Sequence, residues 1–410
     1  MTNAMQPLGT RQRAVRIALA LVIVLVPAVV ATRAQAQTFT LLYSFTGGAD
    51  GGTPYAGLIR DAKGNLYGAT EGGGAYNCGT VFKLDNTGSE KVLHTFTGTG
   101  GDGKWPFAGL VRDAAGNLYG TTEVGGDLSG CSGSGCGVVF KLDKTGKETV
   151  LHTFTATGGD GALPDAGLVR DAAGNLYGTT EWGGTGSCYG PVSGCGTVFR
   201  VDKAGKETVL YSFTGSGGDG ANPLWGYLVR DAAGNLYGTT ERGGASDYGT
   251  VFRLDKTGKE TVLYSFTGSG GDGRSPFAGL VRDAKGNVYG TNVEGGASGV
   301  GTVFRVSGIG KESVLYGFTG SGGDGSYPYA GLVRDANGKL YGTTYDGGAS
   351  GYGTVFMVEG TGKETVLHSF ASSDGANPSA SLVRDAKGSL YGTTVGGGAY
   401  GYGVVFELTP

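Results

Sequence analysis

Histidine, methionine and tryptophan are each present only three times in 410 residues. The three histidines are His94, His152 and His368, and each sits at a repeated place that Tyr43, Tyr211, Tyr264 and Tyr316 fill elsewhere. A position that accepts Tyr or His interchangeably reads as packing or hydrogen bonding, not as a general base. Ser–His and Cys–His nucleophilic mechanisms are thereby left without a base. No stretch places apolar residues at a helical period, which argues against helical folds. Gly-x-Gly and Walker patterns are absent from any strand-to-helix context, so the glycines imply no nucleotide site, and nothing calls for a cofactor. A run of basic residues is also missing, which makes nucleic acid a poor partner.

One apolar run is present, at the N-terminus. Arg11, Arg13 and Arg16 precede Ile17–Ala31, and Ala34-Gln35-Ala36 supplies a small-x-small cleavage pattern. The run is short for a span and broken by Pro27, so residues 1–36 read as a secretory signal peptide. The expectation is an exported protein, periplasmic or extracellular, with no membrane span in the mature chain. Without the four arginines of that segment, 28 basic side chains face 35 acidic ones, a net charge of −7.

Glycine is abundant, 86 residues, a share that suggests disorder when it is aperiodic. Here it is periodic. AGLIRDAKGNLYGAT from Ala56 returns as AGLVRDAAGNLYGTT from Ala108 and Ala166, with variants around Arg230, Arg282, Arg334 and Arg384. Each copy reads as four strands bounded by Gly, Asp and Asn. In the first they are A at 56–60, B at 66–70, C at 80–84 and D at 92–96. A long repeat of short strands is the pattern of propeller blades. The last copy stops after strand C at Val404–Leu408, while residues 39–46 supply an unattached D strand before the first A. An extra D at one end and a missing D at the other is what ring closure requires. The expected fold is all-β: a seven-bladed propeller of four-stranded antiparallel blades over 37–410, its N-terminal strand completing the last blade (380–408).

The A-to-B phrase resembles the blade phrase of NHL-type propellers. The fuller pattern, Gly79–Leu84, Gly249–Leu254 and Gly353–Val358 with the segments Gly205–Gly215 and Gly258–Gly268, resembles the GloVer-type tandem repeat of exported bacterial choice-of-anchor proteins. The resemblance covers essentially the whole mature chain and implies no particular activity.

Alternation of strand direction puts the D–A and B–C loops on one face and the near-invariant hairpins on the other. Variable loops on a rigid scaffold are where recognition concentrates. Two B–C loops are longer than the rest and hold cysteine pairs, expected as local disulfides Cys131–Cys136 and Cys188–Cys195. Zinc is the rival there but lacks a nearby histidine. Cys78 reads as a shielded thiol, with an intermolecular bridge as the alternative.

Residues present in every blade more readily build blades than catalyse. The Arg-Asp pairs (Arg60-Asp61 to Arg384-Asp385) and the loop aspartates (Asp50 to Asp374) read as turn caps and inter-blade ion pairs, and no metal site is assigned because clustered calcium ligands are lacking. Two loop features vary. Acids follow strand B at Glu71, Glu123, Glu181 and Glu241, with Glu294 displaced and Asp346 next; aromatics precede strand A at Tyr55, Phe107, Trp225, Phe277 and Tyr329. The plainer reading makes these inter-blade wedges and turn caps. The sharper one makes them a site where rings stack on a sugar and acids take its hydroxyls. The functional expectation is a non-enzymatic binding or scaffolding propeller whose ligand is a polysaccharide or a protein. A carbohydrate-active enzyme using Glu123, Glu181 and Glu241, or a structural envelope component, are the alternatives.

Overall fold

The computed structural model describes residues 1–2 and 37–409; the expected signal peptide falls almost wholly outside the described residues. The unit Gln37–Pro410 is a propeller of seven four-stranded antiparallel sheets. Among the described residues the one helical element is a 3₁₀ turn, Cys131–Gly133. In the first blade the strands are Ile59–Arg60 (A), Leu66–Thr70 (B), Thr80–Leu84 (C) and Glu90–Thr95 (D). Strand A is shorter than the expected 56–60. Its first residues leave the ladder because the Ala56 carbonyl accepts a bond from Thr393 of the last blade, 3.2 Å away.

Each A–B hairpin is held by its aspartate. Asp61 Oδ1 accepts the N–H groups of Lys63 and Asn65, and Oδ2 accepts Asn65 Nδ2 and the Tyr67 hydroxyl. Gly64 supplies the positive φ, +89°, that the turn needs. Burial alone would raise the Asp61 pKa, but these four bonds outweigh it and hold it below the ordinary carboxylate value.

Blades meet through three recurring contacts. A buried Phe at the end of strand D meets the strand C Phe of the next blade edge to face, as in Phe45–Phe82 and Phe96–Phe140 at 5.1 and 5.2 Å. A strand B threonine donates to the strand A region of the following blade, as Thr121 does to the Ala166 carbonyl. The strand A arginine lies over the strand B tyrosine of the preceding blade, as Arg112 does over Tyr67 at 5.6 Å. The last contact corrects the expected ion pairs. Arg60–Asp385 at 3.8 Å is the one Arg–Asp pair of this kind among the described residues. The hairpin aspartates are already saturated by their own turns, so the guanidinium takes the ring face instead.

All three contacts run through the junction between last and first blades: Thr393 to Ala56, Arg60 over Tyr391, and Phe45 against Phe82. Thr38–Ser44 pairs antiparallel with Val404–Thr409, from Thr38 opposite Thr409 to Ser44 opposite Val404. The bulge between Leu41 and Tyr43 recurs in the C–D ladders of the other blades. The ring is closed as the sequence pattern requires, with the strand at 38–44 rather than 39–46.

Candidate functional site

The D–A and B–C loops pair with each other on one face, through short ladders such as Gly103–Lys104 with Val124–Gly125 and Gly161–Ala162 with Trp182–Gly183. This pins the positions before strand A and after strand B around the propeller axis. In the D–A loop a residue of positive φ precedes a proline, as in Thr53-Pro54 and Trp105-Pro106. A tight turn then returns the next N–H to the residue before the proline, Tyr55 to Thr53 and Phe107 to Trp105. The side chain after the proline is thereby aimed inward.

Four of these side chains are predicted aromatics, Tyr55, Phe107, Phe277 and Tyr329; the fifth, Trp225, comes one residue later because Leu224 follows Pro223, and the structure brings all five together. Trp225 lies 5.6 Å from Phe277, 6.0 Å from Tyr329 and 6.4 Å from both Tyr55 and Phe107. It therefore packs on its neighbour Phe277 and also reaches across the axis to Tyr55 and Phe107 of the first two blades. Asp165 and Ser379 take the two remaining places, and the space among these residues is about 40 Å³. That admits water, not a sugar ring, so the aromatics form a cap over the axis with partly exposed upper edges.

The acids do not form a full ring. Backbone bonds from the residue after strand B to the D–A loop define the equivalent positions as Glu71, Glu123, Glu181, Glu241, Val293, Tyr345 and Val395. Glu294 and Asp346 are each one residue further on, and Asp346 accepts a bond from Asn377. The mouth is thus carboxylic over blades 1–4 and apolar over blades 5–7, where Tyr345 packs on Tyr329 at 5.3 Å. Burial raises Glu71 and Glu241 and pushes Glu123 and Glu181 up to about 7. Asp165 is 6% exposed, and its Oδ1 is covered with no hydrogen-bond partner. Burial, then the charges of Glu123 and Glu181, raise its pKa well above the ordinary carboxylate value.

Models of one repeat family, described as the Gloeobacter/Verrucomicrobia repeat, match residues 27–192 and 187–406. The chain belongs to this family. Curated proteins contain no match to it. Similar solved structures include a structural-genomics target labelled a gluconolactonase, at 11% identity over 92% of each chain with a TM-score of 0.44. A gluconolactonase from Xanthomonas campestris is 17% identical over 72% of this chain and 82% of its own, TM-score 0.42. A calcium-binding regucalcin from Agrobacterium tumefaciens is 17% identical over 67% and 76%, TM-score 0.39. Likeness at this level transfers no chemistry.

Within this Gloeobacter/Verrucomicrobia repeat protein, Tyr227 is a site residue that the sequence reading missed. Six copies place Gly or Ser after the small residue that opens strand A; the fourth reads Trp225-Gly226-Tyr227-Leu228 and carries one additional residue, Leu224. Tyr227 crosses the axis beneath the aromatic cap. Its hydroxyl or ring occupies the space that a side chain at Gly57, Gly109 or Gly167 would need. Burial pushes its pKa up to about 12. The broken Ala-Gly phrase was the available signal. Restoring it with Tyr227→Gly should empty the axis and cost about 3 kcal/mol, read as a lower urea midpoint. An unchanged midpoint would show that the ring fills no needed space.

Both expected disulfides are present, Cys131–Cys136 and Cys188–Cys195. Cys78 is a free thiol, buried against the Tyr76 carbonyl at 3.3 Å. Disulfides and family membership are consistent with export. Six tyrosines, at 76, 189, 248, 352, 400 and 402, stand exposed, and all six are in B–C loops.

Proposed function

We propose that this is an exported, non-catalytic propeller that binds a polysaccharide across its D–A/B–C loop face. The observation that carries the reading is the placement of aromatic surface. Every exposed tyrosine among the described residues lies on that face, surrounding a central cap of five rings flanked by carboxyl groups. Aromatic faces suit the C–H surfaces of sugars, while Glu123 and Glu181, titrating near neutrality, can both accept and donate hydrogen bonds to hydroxyls. The closed axis favours a chain lying along the surface over a small molecule held inside.

One observation favours a second reading. Asp165, buried and raised in pKa, stands beside Glu123 and Glu181, a grouping of carboxyl groups of the sort that serves acid catalysis. That reading makes the protein a carbohydrate-active enzyme.

A glycan array separates the two. The wild type should retain at least one polysaccharide class, and Trp225→Ala should weaken retention about tenfold or more, the loss of a central anchor. Retention of no glycan would end the binding proposal. Shortening of a retained glycan that is abolished by Glu181→Gln would replace it with the enzyme.

A further inference from the structure

On the outer part of the propeller, a side chain of one blade, the aspartate of its own D–A loop and the D strand of the next blade meet at every junction. Four junctions place Tyr there: Tyr43, Tyr211, Tyr264 and Tyr316 donate to Asp50, Asp219, Asp272 and Asp324, all at 3.0 Å. Three place His instead. Two of those bring a third ligand type into range: His94, Asp102 and Glu148, and His152, Asp160 and Glu207. In each set one donor atom per residue lies within 4.8 Å of the others.

The spacing suits a metal site: His94 lies beyond hydrogen-bonding distance of its aspartate, and His152 meets Asp160 only in a long hydrogen bond of 3.4 Å. Zinc bonds of about 2.1 Å in a tetrahedron put neighbouring ligand atoms about 3.4 Å apart. His94 Nε2 is 3.6 Å from Asp102 Oδ1 and 4.0 Å from Glu148 Oε2, and His152 Nε2 is 3.4 Å from Asp160 Oδ1. His94 Nε2 is covered from solvent and hydrogen-bonds nothing, an expensive state for a ring nitrogen. The glutamate Oε1 atoms are covered and unpartnered in Tyr junctions as well, so the histidine nitrogen is the informative atom.

The aspartates are already oriented from behind. Asp102 Oδ2 accepts Thr97 N–H and hydroxyl at 2.7 and 2.9 Å, and Asp160 Oδ2 accepts the same groups of Thr155 at 2.9 Å. Oδ1 of each is steadied by the next glycine N–H, leaving a lone pair toward the histidine. Such outer bonds are how ligating carboxylates are aimed. His94 packs on Phe96 and His152 on Phe154, which gives each cluster an apolar wall. The ligand side chains are 13–18% exposed at the first cluster, enough for an ion to reach them.

The third histidine is an internal control. His368 is 3.1 Å from Asp374, a direct bond, and the next D strand offers Phe39 where the others have Glu; that ring stacks on His368 at 4.0 Å. Without a third ligand the histidine sits closer to its aspartate than at either cluster, 3.1 Å against 3.4 and 3.6 Å.

We propose that His94–Asp102–Glu148 and His152–Asp160–Glu207 are two divalent transition-metal sites, each clamping one blade to the next, and that His368 is not one. One imidazole and two carboxylates suit zinc and its first-row neighbours better than calcium or magnesium, which favour oxygen alone.

The test uses untagged full-length protein, stripped with chelator, incubated with Zn²⁺, desalted and analysed for metal. The expected content is two zinc ions per chain. His94→Tyr and His152→Tyr should each leave one, the double variant none, and His368→Tyr two. Tyr is native to this place in four junctions, so the fold is expected to persist, and the stripped variants' melting curves check that. Glu148→Gln, which keeps the shape and removes one ligand, should also leave one. Retention of no zinc by the wild type, or equal retention by the double variant, would overturn the assignment. Loss of zinc on His368→Tyr would overturn its restriction to two sites. A parallel Co²⁺ titration should give the visible absorption of a four- or five-coordinate ion, lost in the same variants.

Discussion

Deleting residues 37–46 should abolish cooperative thermal unfolding and send the protein into soluble aggregates, detected by calorimetry and light scattering. The strand is the outer member of the last blade, paired along Val404–Thr409. Removing it exposes an unpaired edge of alternating apolar residues, the feature most prone to join other chains. It also removes Phe45, 0% exposed and packed on Phe82, and so opens the apolar cluster that joins last and first blades through Leu58, Tyr391 and Val405. Phe45→Ala alone should cost about 3–5 kcal/mol, the range for a buried aromatic cut to alanine. Adding a synthetic 37–46 peptide should recover part of the transition, because strand addition to an open edge supplies the same bonds. A deletion variant that melts like the parent would mean that the ring is not sealed there.

The second large effect is on pH. Glu90, Glu148, Glu260, Glu312 and Glu364 are pushed up to about 7, chiefly by burial at the blade junctions and then by the loop aspartates Asp50, Asp102, Asp219, Asp272 and Asp324 beside them. An acid whose pKa is higher folded than unfolded binds more protons in the native state. Its contribution is therefore complete below the unfolded value, near 4.5, and is lost as pH rises through 7. A displacement of this size corresponds to about 3 kcal/mol for a fully enclosed group. These side chains are half-buried and solvent-screened, so about 1 kcal/mol each, near 5 kcal/mol for the five, is a better scale. The hairpin aspartates act oppositely. Asp61, Asp113, Asp171, Asp231 and Asp283 are held low by their turn bonds, against the pull of burial, and lose that stabilisation as pH falls below about 4. Stability should accordingly peak near pH 5 and decline toward pH 8, measured by urea denaturation across that range. A curve that rises from pH 5 to pH 8 would contradict the assignment of neutral glutamates to the junctions.

Much of the fold was legible because the repeat is local. The A–B hairpin phrase Arg-Asp-Ala-x-Gly, followed by Asn in five copies, by Lys339 in one and by Ser389 in another, contains its own turn, so its seven appearances counted the blades. The cysteine pairs lie five and seven residues apart within single loops, and their partners could be named without a structure. The free D strand and the missing one at the other end required closure on grounds of unpaired edges alone. The inner strand was drawn too long because the residues opening it bond the previous blade, and no pattern within one copy shows that. The Arg-Asp pairs were expected to bridge blades as ions. The turn had already taken the aspartate's lone pairs, and the arginine found a tyrosine face.

The candidate site was legible only as a set of varying positions. Tyr55, Phe107, Trp225, Phe277 and Tyr329 stand out as departures among otherwise constant loops. That they meet over the axis, with Tyr227 beneath them, depends on the radius of the ring and on one additional residue, Leu224. The carboxylic half and the apolar half of the mouth likewise emerge only when the bonds between loops define which positions are equivalent. The histidines show the same division. A Tyr/His exchange within one unit reads as packing; the glutamate that changes its meaning comes from the next unit.

The amino-acid order by itself determined the number of blades, the strand directions, the place of closure, the disulfides and the face that varies. Each of these follows from bonds or alternation within a unit of some fifty residues. Which side chains from different units share a volume was decided by tertiary structure alone. Those distances are set by how seven sheets tilt and pack around one axis, and spacing along the chain carries no record of that angle.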